Sequence, residues 1–436
     1  MVSFAAGGDV SELAGPASPV AALAAAQVKD GHEVVLIARR QTGSSAWFHN
    51  TAFEVREVPG GPPTELADVD AISHIGEFVR GLGREIRAGG FDMVHSHGWL
   101  AGLAVQLASP APPLPVVHTS HRPQLVNRLE TAAGGPRQYR INAERAVAMR
   151  ADHIVATSEV ERDSLLRVGL TRGVITVVPP GVHTELADNA STTETRWRQH
   201  RLLVFGSTSR TLDTVRALRL LPDAELIICG RPDEPIEPQA DSIIDLATAL
   251  DLSQRVHLDH RISQRVHLDH RITVYERAPL IRSADVVLCL SPPGQAGTTH
   301  LEAMAQGIPV VAGNPEAAEA VVNGITGVHA IDPTARFQAA TLRTLLANAT
   351  LRQTMGIAGY DRAIARYSWN RIAAETLRVY ERLIQHPRNH PGPGRAASAS
   401  GLTAHRRSTT SSTPSVVHLP YRSSQECPTA GITWIS

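Results

Sequence analysis

Short β-branched runs alternate with longer helix-like runs along most of the chain, and this alternation constrains the fold more than any other feature. A first series comprises His32–Ala38, Val116–Thr119, His153–Thr157 and Val174–Val178; a second comprises Leu202–Phe205, Glu225–Cys229, Asp285–Leu290 and Ile308–Ala312. Each run ends in a polar or glycine-containing turn, and helix-length connections imply parallel strands with crossover helices. Between the series, Asp188–Arg196 carries no apolar period. The expected architecture is α/β, with two doubly wound Rossmann-like domains at 1–187 and 201–367 facing a cleft and joined by a linker at 188–200. Sheets of this kind bind ligands at the carboxyl ends of their strands, so the cleft is the expected site. Residues 368–386 read as an amphipathic helix with Ile372, Val379, Tyr380 and Leu383 on one side. After Pro387 the composition turns to Pro, Gly, Ser, Thr and Arg, as expected of a disordered tail over 387–436.

A length of 436 residues with 42% hydrophobic residues supports two cores. Basic and acidic residues balance at 42 each, which gives no electrostatic reason to expect nucleic acid or an anionic membrane as the main partner. Lys29 is the only lysine, so any phosphate contact falls to arginine, backbone N–H or hydroxyl groups. Cys229, Cys289 and Cys427 are far apart, and two of them lie in strand-like runs, which favours reduced core thiols over disulfides or a zinc cluster. The apolar stretch Pro19–Val28 is short and follows no basic segment, so neither a signal peptide nor a membrane span is expected and the expected location is the cytoplasm.

One internal repeat stands out: Ser253–Ile262 recurs without change as Ser263–Ile272. It is too short for a solenoid unit. One copy suffices for a strand and its exit loop, so the other is expected to bulge out, with two nearly degenerate registers and a mobile segment. The repeat also sets His257 three residues before His260, and His267 before His270. Positions three apart in a strand face opposite sides, so no metal site is expected from them.

The stretch richest in chemistry is Gly297–Ala312: a turn, a helix opening at two threonines, and a strand. Free N–H groups of a first helical turn and the hydroxyls of Thr298 and Thr299 suit a diphosphate, and Glu302 stands within reach of a sugar hydroxyl. Taken by itself, the same pattern also fits an ordinary capped core helix.

Leu301-Glu-Ala-Met-Ala-Gln-Gly-Ile-Pro-Val-Val311, followed by Asn323-Gly-Ile-Thr-Gly327, resembles the donor-domain signature of family-four retaining glycosyltransferases of the GT-B fold. Other segments agree in order: Gly31–Val34, Asp92–His97, Ile154–Ser158, Val177–Val182, Arg282–Val286 and Tyr367–Trp369. The resemblance covers residues 13–386, and several motifs in order are far more specific than one. It implies transfer of a sugar from a UDP- or GDP-sugar to a hydroxyl acceptor with retention, and it requires no metal or other cofactor. It also implies a role for Glu302 on the nucleotide ribose, for Gly297, Thr298, Thr299, His300 and Leu301 around the diphosphate, and for His121 facing the donor sugar near the reacting carbon. Arg140, four residues before Glu144, resembles an acceptor-side arginine, although a solvated helix arginine fits its position as well.

The chain departs from the family pattern at three places. The first glutamate of the two-glutamate motif falls at Gly294, which has no side chain to hold a sugar hydroxyl. After Leu202–Phe205 the family has a glycine–arginine pair and then a basic pair; here Gly206 is followed by Ser207, and Arg210 is the only cation in reach by sequence. The first-domain glycine loop keeps Gly15 but sets prolines around it. If each missing donor contact costs roughly 10²-fold, two lower turnover by about 10⁴-fold unless other groups compensate. The alternative expectation is therefore a catalytically inactive relative that binds a nucleotide or a partner.

Overall fold

The computed structural model describes residues 1–4, 18–42, 51–64, 66, 68–108, 113–121, 136–184, 196–206, 209–229, 237–259, 274–292, 297–330 and 334–385. Gly15, Ser207, Gly294, the first part of the linker, the second decapeptide copy and the tail lie outside them, and with them the expectations of mobility and disorder. Residues Met1–His390 form a compact unit that contains two parallel sheets.

The first sheet comprises β1 (Val2–Ser3), β2 (Val35–Arg39), β3 (Glu54–Val58), β4 (Val94–His97), β5 (Val116–Thr119), β6 (His153–Ala156) and β7 (Ile175–Val177). Its order is β3-β2-β1-β4-β5-β6-β7, and its helices are α1 (Pro19–Lys29), α2 (Asp68–Gly89), α3 (Trp99–Ala108), α4 (Pro136–Arg150) and α5 (Glu159–Val168). The second sheet comprises β8 (His200–Phe205), β9 (Ala224–Cys229), β10 (Val256–Asp259), β11 (Val286–Cys289), β12 (Val310–Ala312) and β13 (Gly327–His329), in the order β10-β9-β8-β11-β12-β13. Around it lie α6 (Ser209–Leu218), α7 (Glu237–Ala249), α8 (Val274–Arg282), α9 (Thr299–Ala305), α10 (Pro315–Ala320), α11 (Ala335–Ala347) and α12 (Ala349–Tyr367), and the chain continues into α13 (Trp369–Gln385). Both orders reverse direction beside their first strand, at β1/β4 and at β8/β11, which is where doubly wound sheets open a crevice for ligand.

Strands read as apolar runs because both of their faces are buried. In β8, Leu203 and Phe205 face one core with Ile227, Val287 and Leu301, whereas Leu202 and Val204 face the opposite core with Leu226, Ile228 and Leu288. Cys229 and Cys289 are buried among these strands. At the start of β8 the fully buried Arg201 donates to Glu225 at 2.7 Å and to Ser283 Oγ at 2.9 Å, a paired charge of the kind whose one-sided removal costs about 3–5 kcal/mol.

Strands β3, β4 and β13 were not read as strands in the sequence, β4 because its Val-His-Ser-His run is largely polar although buried. β3 is an edge strand, Glu-Val-Arg-Glu-Val, in which only Val58 is fully buried, and β13 is three residues long. β10 is built from the first copy of the decapeptide, with the His257 ring stacked on Trp197 at 4.1 Å between centroids.

Helix α13 buries the predicted apolar side, but against the first domain. Ile372, Ala373, Val379 and Leu383 pack with Leu23 and Ala26 of α1 and with Val117, Val155 and Val178. The turn into α13 is fixed by Val182 N–H donating to the Tyr367 carbonyl at 2.8 Å. Gly181 is required beside it, because a Cβ there would lie 2.4 Å from the Trp369 ring. No helix among the described residues is long and apolar enough to cross a membrane.

Candidate active site

The carboxyl ends of β4 and β5 gather histidines because their segments, His-Ser-His and His-Thr-Ser-His, run parallel in register, with His95 beside Val117 and His97 beside Thr119. His95 Nδ1 is 2.5 Å from Tyr380 Oη of α13, and its Nε2 is 2.9 Å from Thr119 Oγ1. His97 Nδ1 is 3.0 Å from His121 Nε2. Burial, reinforced by neighbouring positive groups, pushes the His95 and His97 imidazoles well below the ordinary histidine range, and burial first brings His118 down to about 3. These three rings are therefore neutral at physiological pH. In either tautomer of the His97–His121 pair, buried His97 Nε2 has no hydrogen-bond partner. His121 itself sits at φ 50, in the left-handed region that a histidine enters only where its surroundings hold it.

The facing wall comes from the second domain. Gly297 turns at φ 56 into α9, whose N-cap residue is Thr298. The Thr298 hydroxyl donates to Glu302 Oε1 at 2.6 Å instead of capping the helix backbone. Arg277 of α8 donates from Nη2 to Thr299 Oγ1 at 2.9 Å and lies 3.3 Å from Glu302 Oε2, while its guanidinium carbon stands 4.5 Å from the centroid of the Phe205 ring. His300 is buried, and burial lowers its pKa to about 4.

Between the walls lies a cavity of about 300 Å3. His97 and His121 line it from the first domain, and Gly297, Thr298, His300 and Leu301 line it from the second. Glu159, Glu161, Glu316 and Glu319 also reach it. Glu319 of α10 accepts the Glu159 and Val160 N–H groups that open α5, at 2.9 and 3.1 Å, and so ties the two walls together. Burial raises the Glu161 carboxyl to about 7, against the lowering effect of hydrogen bonds from the Thr157 N–H and hydroxyl.

Of the residues the sequence singled out, His121, Gly297, Thr298, His300 and Leu301 share this cavity. Glu302 and Thr299 stand behind it, joined by Arg277. Gly206, at φ 83, follows β8 and donates its N–H to the Cys229 carbonyl at 2.8 Å. Two readings are corrected. Arg210 is not the only cation in reach: its Nη1 donates to the Gly313 carbonyl, whereas Arg277, which no motif marked, meets Glu302 and Thr299. Arg140 is not a freely solvated helix arginine; its side chain is 15% exposed, donates to buried Glu144 at 2.9 Å and lies 5.8 Å from the Trp99 ring centroid. The only sequence signal for Arg277 was its arginine side chain within a run of otherwise helical pattern, which does not single out a site.

The Glycosyltransferase Family 4 model matches residues 15–186, and the glycosyl transferases group 1 model matches residues 209–362. The D-inositol 3-phosphate glycosyltransferase of Kineococcus radiotolerans is 30% identical over 403 residues, spanning 84% of this chain and 90% of that relative. The protein of the same name from Mycolicibacterium gilvum is 31% identical over 357 residues, 76% of this chain and 75% of the relative. In fold, sucrose-phosphate synthase from Thermosynechococcus elongatus superposes with a TM-score of 0.72 at 21% identity, covering 88% of this chain and 98% of its own. Anabaena HepE, solved in complex with UDP and glucose, gives 0.65 at 16% identity, with 88% and 99% covered. Two facing parallel-sheet domains, both family matches in the expected order, and relatives spanning most of the chain lead to one conclusion: the chain belongs to the GT-B glycosyltransferases and is a transferase enzyme.

Proposed function

We propose that the chain is a retaining glycosyltransferase that moves a sugar from a UDP- or GDP-sugar onto a hydroxyl acceptor. The observation that carries this reading is one cavity lined by His121 from one domain and by Gly297 and Thr298 from the other. A site closed from two sides excludes water, which matters because water competes with the acceptor for the sugar. The diphosphate lies toward Gly297–Thr299 and the ribose toward Glu302, while His121 faces the sugar at the reacting carbon. As the bond from the anomeric carbon to the diphosphate breaks, the acceptor oxygen bonds to that carbon on the same face. The acceptor proton passes to the departing phosphate oxygen. Neutral His97 holds His121 in place and adds no positive charge beside the acceptor hydroxyl.

The relatives' names specify an inositol phosphate as acceptor. Here four glutamates, with Glu161 only partly ionised near pH 7, and no arginine or lysine stand among the described lining residues, a setting that suits an uncharged polyol better than a phosphate ester. Hydrolysis and transfer assays across UDP- and GDP-sugars, with product anomers assigned by NMR, test the proposal. The wild type should turn over one donor with retention, and Glu302→Ala should reduce kcat/KM for that donor by roughly 10²-fold or more. Wild-type turnover no higher than that of the variant with every donor would end the enzyme reading. The inactive alternative draws on the engagement of Glu302 by Thr298 and Arg277. Calorimetric binding of free UDP or GDP without transfer would select it.

A further inference from the structure

We infer that Arg277 is the diphosphate-binding cation of this chain, and that it works as a unit with Glu302; the inference rests on the donor site proposed above. Three observations point to it. First, Arg277 is held in place: its side chain is 13% exposed, its guanidinium carbon lies 4.5 Å from the Phe205 ring centroid, and its Nη2 meets both Thr299 Oγ1 and Glu302 Oε2. Phe205 ends β8 at the strand-order reversal, so this charge stands near the sheet's ligand crevice, behind the Gly297–Thr298 lining of the cavity. Second, its hydrogen-bonding capacity is not used up. A guanidinium has five donors in a fixed fork, yet the buried Nε has no partner among the described residues. A buried donor left unmade is costly, and an anion docking beside the fork would let the group re-form its contacts around a second acceptor.

Third, the local charge balance favours a phosphate only while Arg277 is present. Glu302 is buried, and its Oε1 is already bonded to the Thr298 hydroxyl, so its negative charge is fixed beside the donor position. With Arg277 the pair is neutral and the guanidinium can face a second anion. Without Arg277 the same carboxylate would repel a diphosphate. Arg210 instead donates from Nη1 to the Gly313 carbonyl. Of the four side chains gathered here, Arg277, Thr298, Thr299 and Glu302, only the arginine attracts the charge that a nucleotide has and its nucleoside lacks.

The test compares binding of UDP and of uridine, and in parallel of GDP and guanosine, to the full chain by calorimetry. The variants are Arg277→Leu, which removes charge and fork, and Arg277→Lys, which keeps the charge alone; circular dichroism melts verify that each is folded. For the base that binds, the Leu variant should weaken the diphosphate by about 10- to 100-fold, as expected for lost charge-assisted hydrogen bonds. It should weaken the nucleoside by less than about 3-fold, and the Lys variant should fall between the Leu variant and the wild type. If the Leu variant does not fold, the Lys variant alone must still weaken the diphosphate more than the nucleoside. Equal weakening of both ligands would mean that Arg277 only orients Glu302, and would overturn the inference. So would an unchanged diphosphate affinity, or a wild type that binds none of the four ligands. Because the measurement needs no turnover, failure of the transferase reading stays distinct: a chain that binds UDP through Arg277 but transfers no sugar keeps the inference and loses the activity.

Discussion

At the scale of single residues, the site shows how burial sets charge. His95, His97, His118 and His300 are all held neutral chiefly by desolvation, and Glu161 is raised by the same cause. Glu161 makes a prediction with a definite sign. Its carboxyl rises from an ordinary 4.5 to about 7 in the folded chain, so between those values the native state holds a proton that the unfolded state has lost. Its contribution to stability is complete below pH 4.5 and disappears as pH rises through about 7, on the order of 3 kcal/mol. Glu161→Gln is neutral at every pH and keeps an acceptor for the Thr157 N–H. The stability difference between wild type and this variant should therefore move by about that amount between pH 5 and pH 8 in urea melts, with the wild type losing ground at high pH. The buried histidines act in the opposite direction below about pH 6.5, but they are common to both proteins and cancel in the difference. An unchanged difference would place Glu161 in a wetter environment than its burial indicates. His121 and Glu302 were legible as individual residues because each sits in a recurrent motif. Arg277 was not, because a cation that belongs to no motif acquires its meaning only from the carboxylate it meets.

At the scale of elements, α13 is the clearest case. Its apolar periodicity was readable, and Ile372, Val379 and Leu383 are buried as that period requires. Periodicity does not name the surface that a helix covers, and this one leaves the second sheet to pack on α1 and the ends of β5 and β6. Tyr380 then reaches His95, so the last helix takes part in building the histidine cluster of the first domain. Leu383→Ala should cost about 2–5 kcal/mol, whereas the adjacent Ile384→Ala, 47% exposed, should cost less than about 0.5 kcal/mol. Chemical denaturation of the two variants reads the contrast directly; equal costs would mean that α13 does not hold the first domain. The strands were legible for a related reason: β8 and β9 carry apolar residues on both faces and announce themselves, whereas β3 carries charges along a sheet edge.

At the scale of the whole molecule, the two domains meet across a cavity in which Glu319 of one caps the first N–H groups of α5 in the other. Carboxylates gather there from both sides, and the charge of the acceptor should be the property most strongly selected. With the preferred donor fixed, an uncharged cyclitol such as myo-inositol should show a higher kcat/KM than its phosphate monoester, by about tenfold or more. Raising the salt concentration should narrow the gap, because screening weakens the repulsion of the ester. A preference for the phosphorylated acceptor at all salt concentrations would mean that cations outside the described residues complete the site.

The sequence by itself determined the α/β class, the two-domain organisation and the segments that carry His121 and Gly297 to Glu302, because buried strands and glycine-opened turns leave local signatures. Only the tertiary structure decided that Arg277 stands at Glu302 and that α13 belongs to the first domain's core. Those contacts join residues far apart in the chain, and a side chain's partner depends on where packing brings another element, which no local pattern encodes.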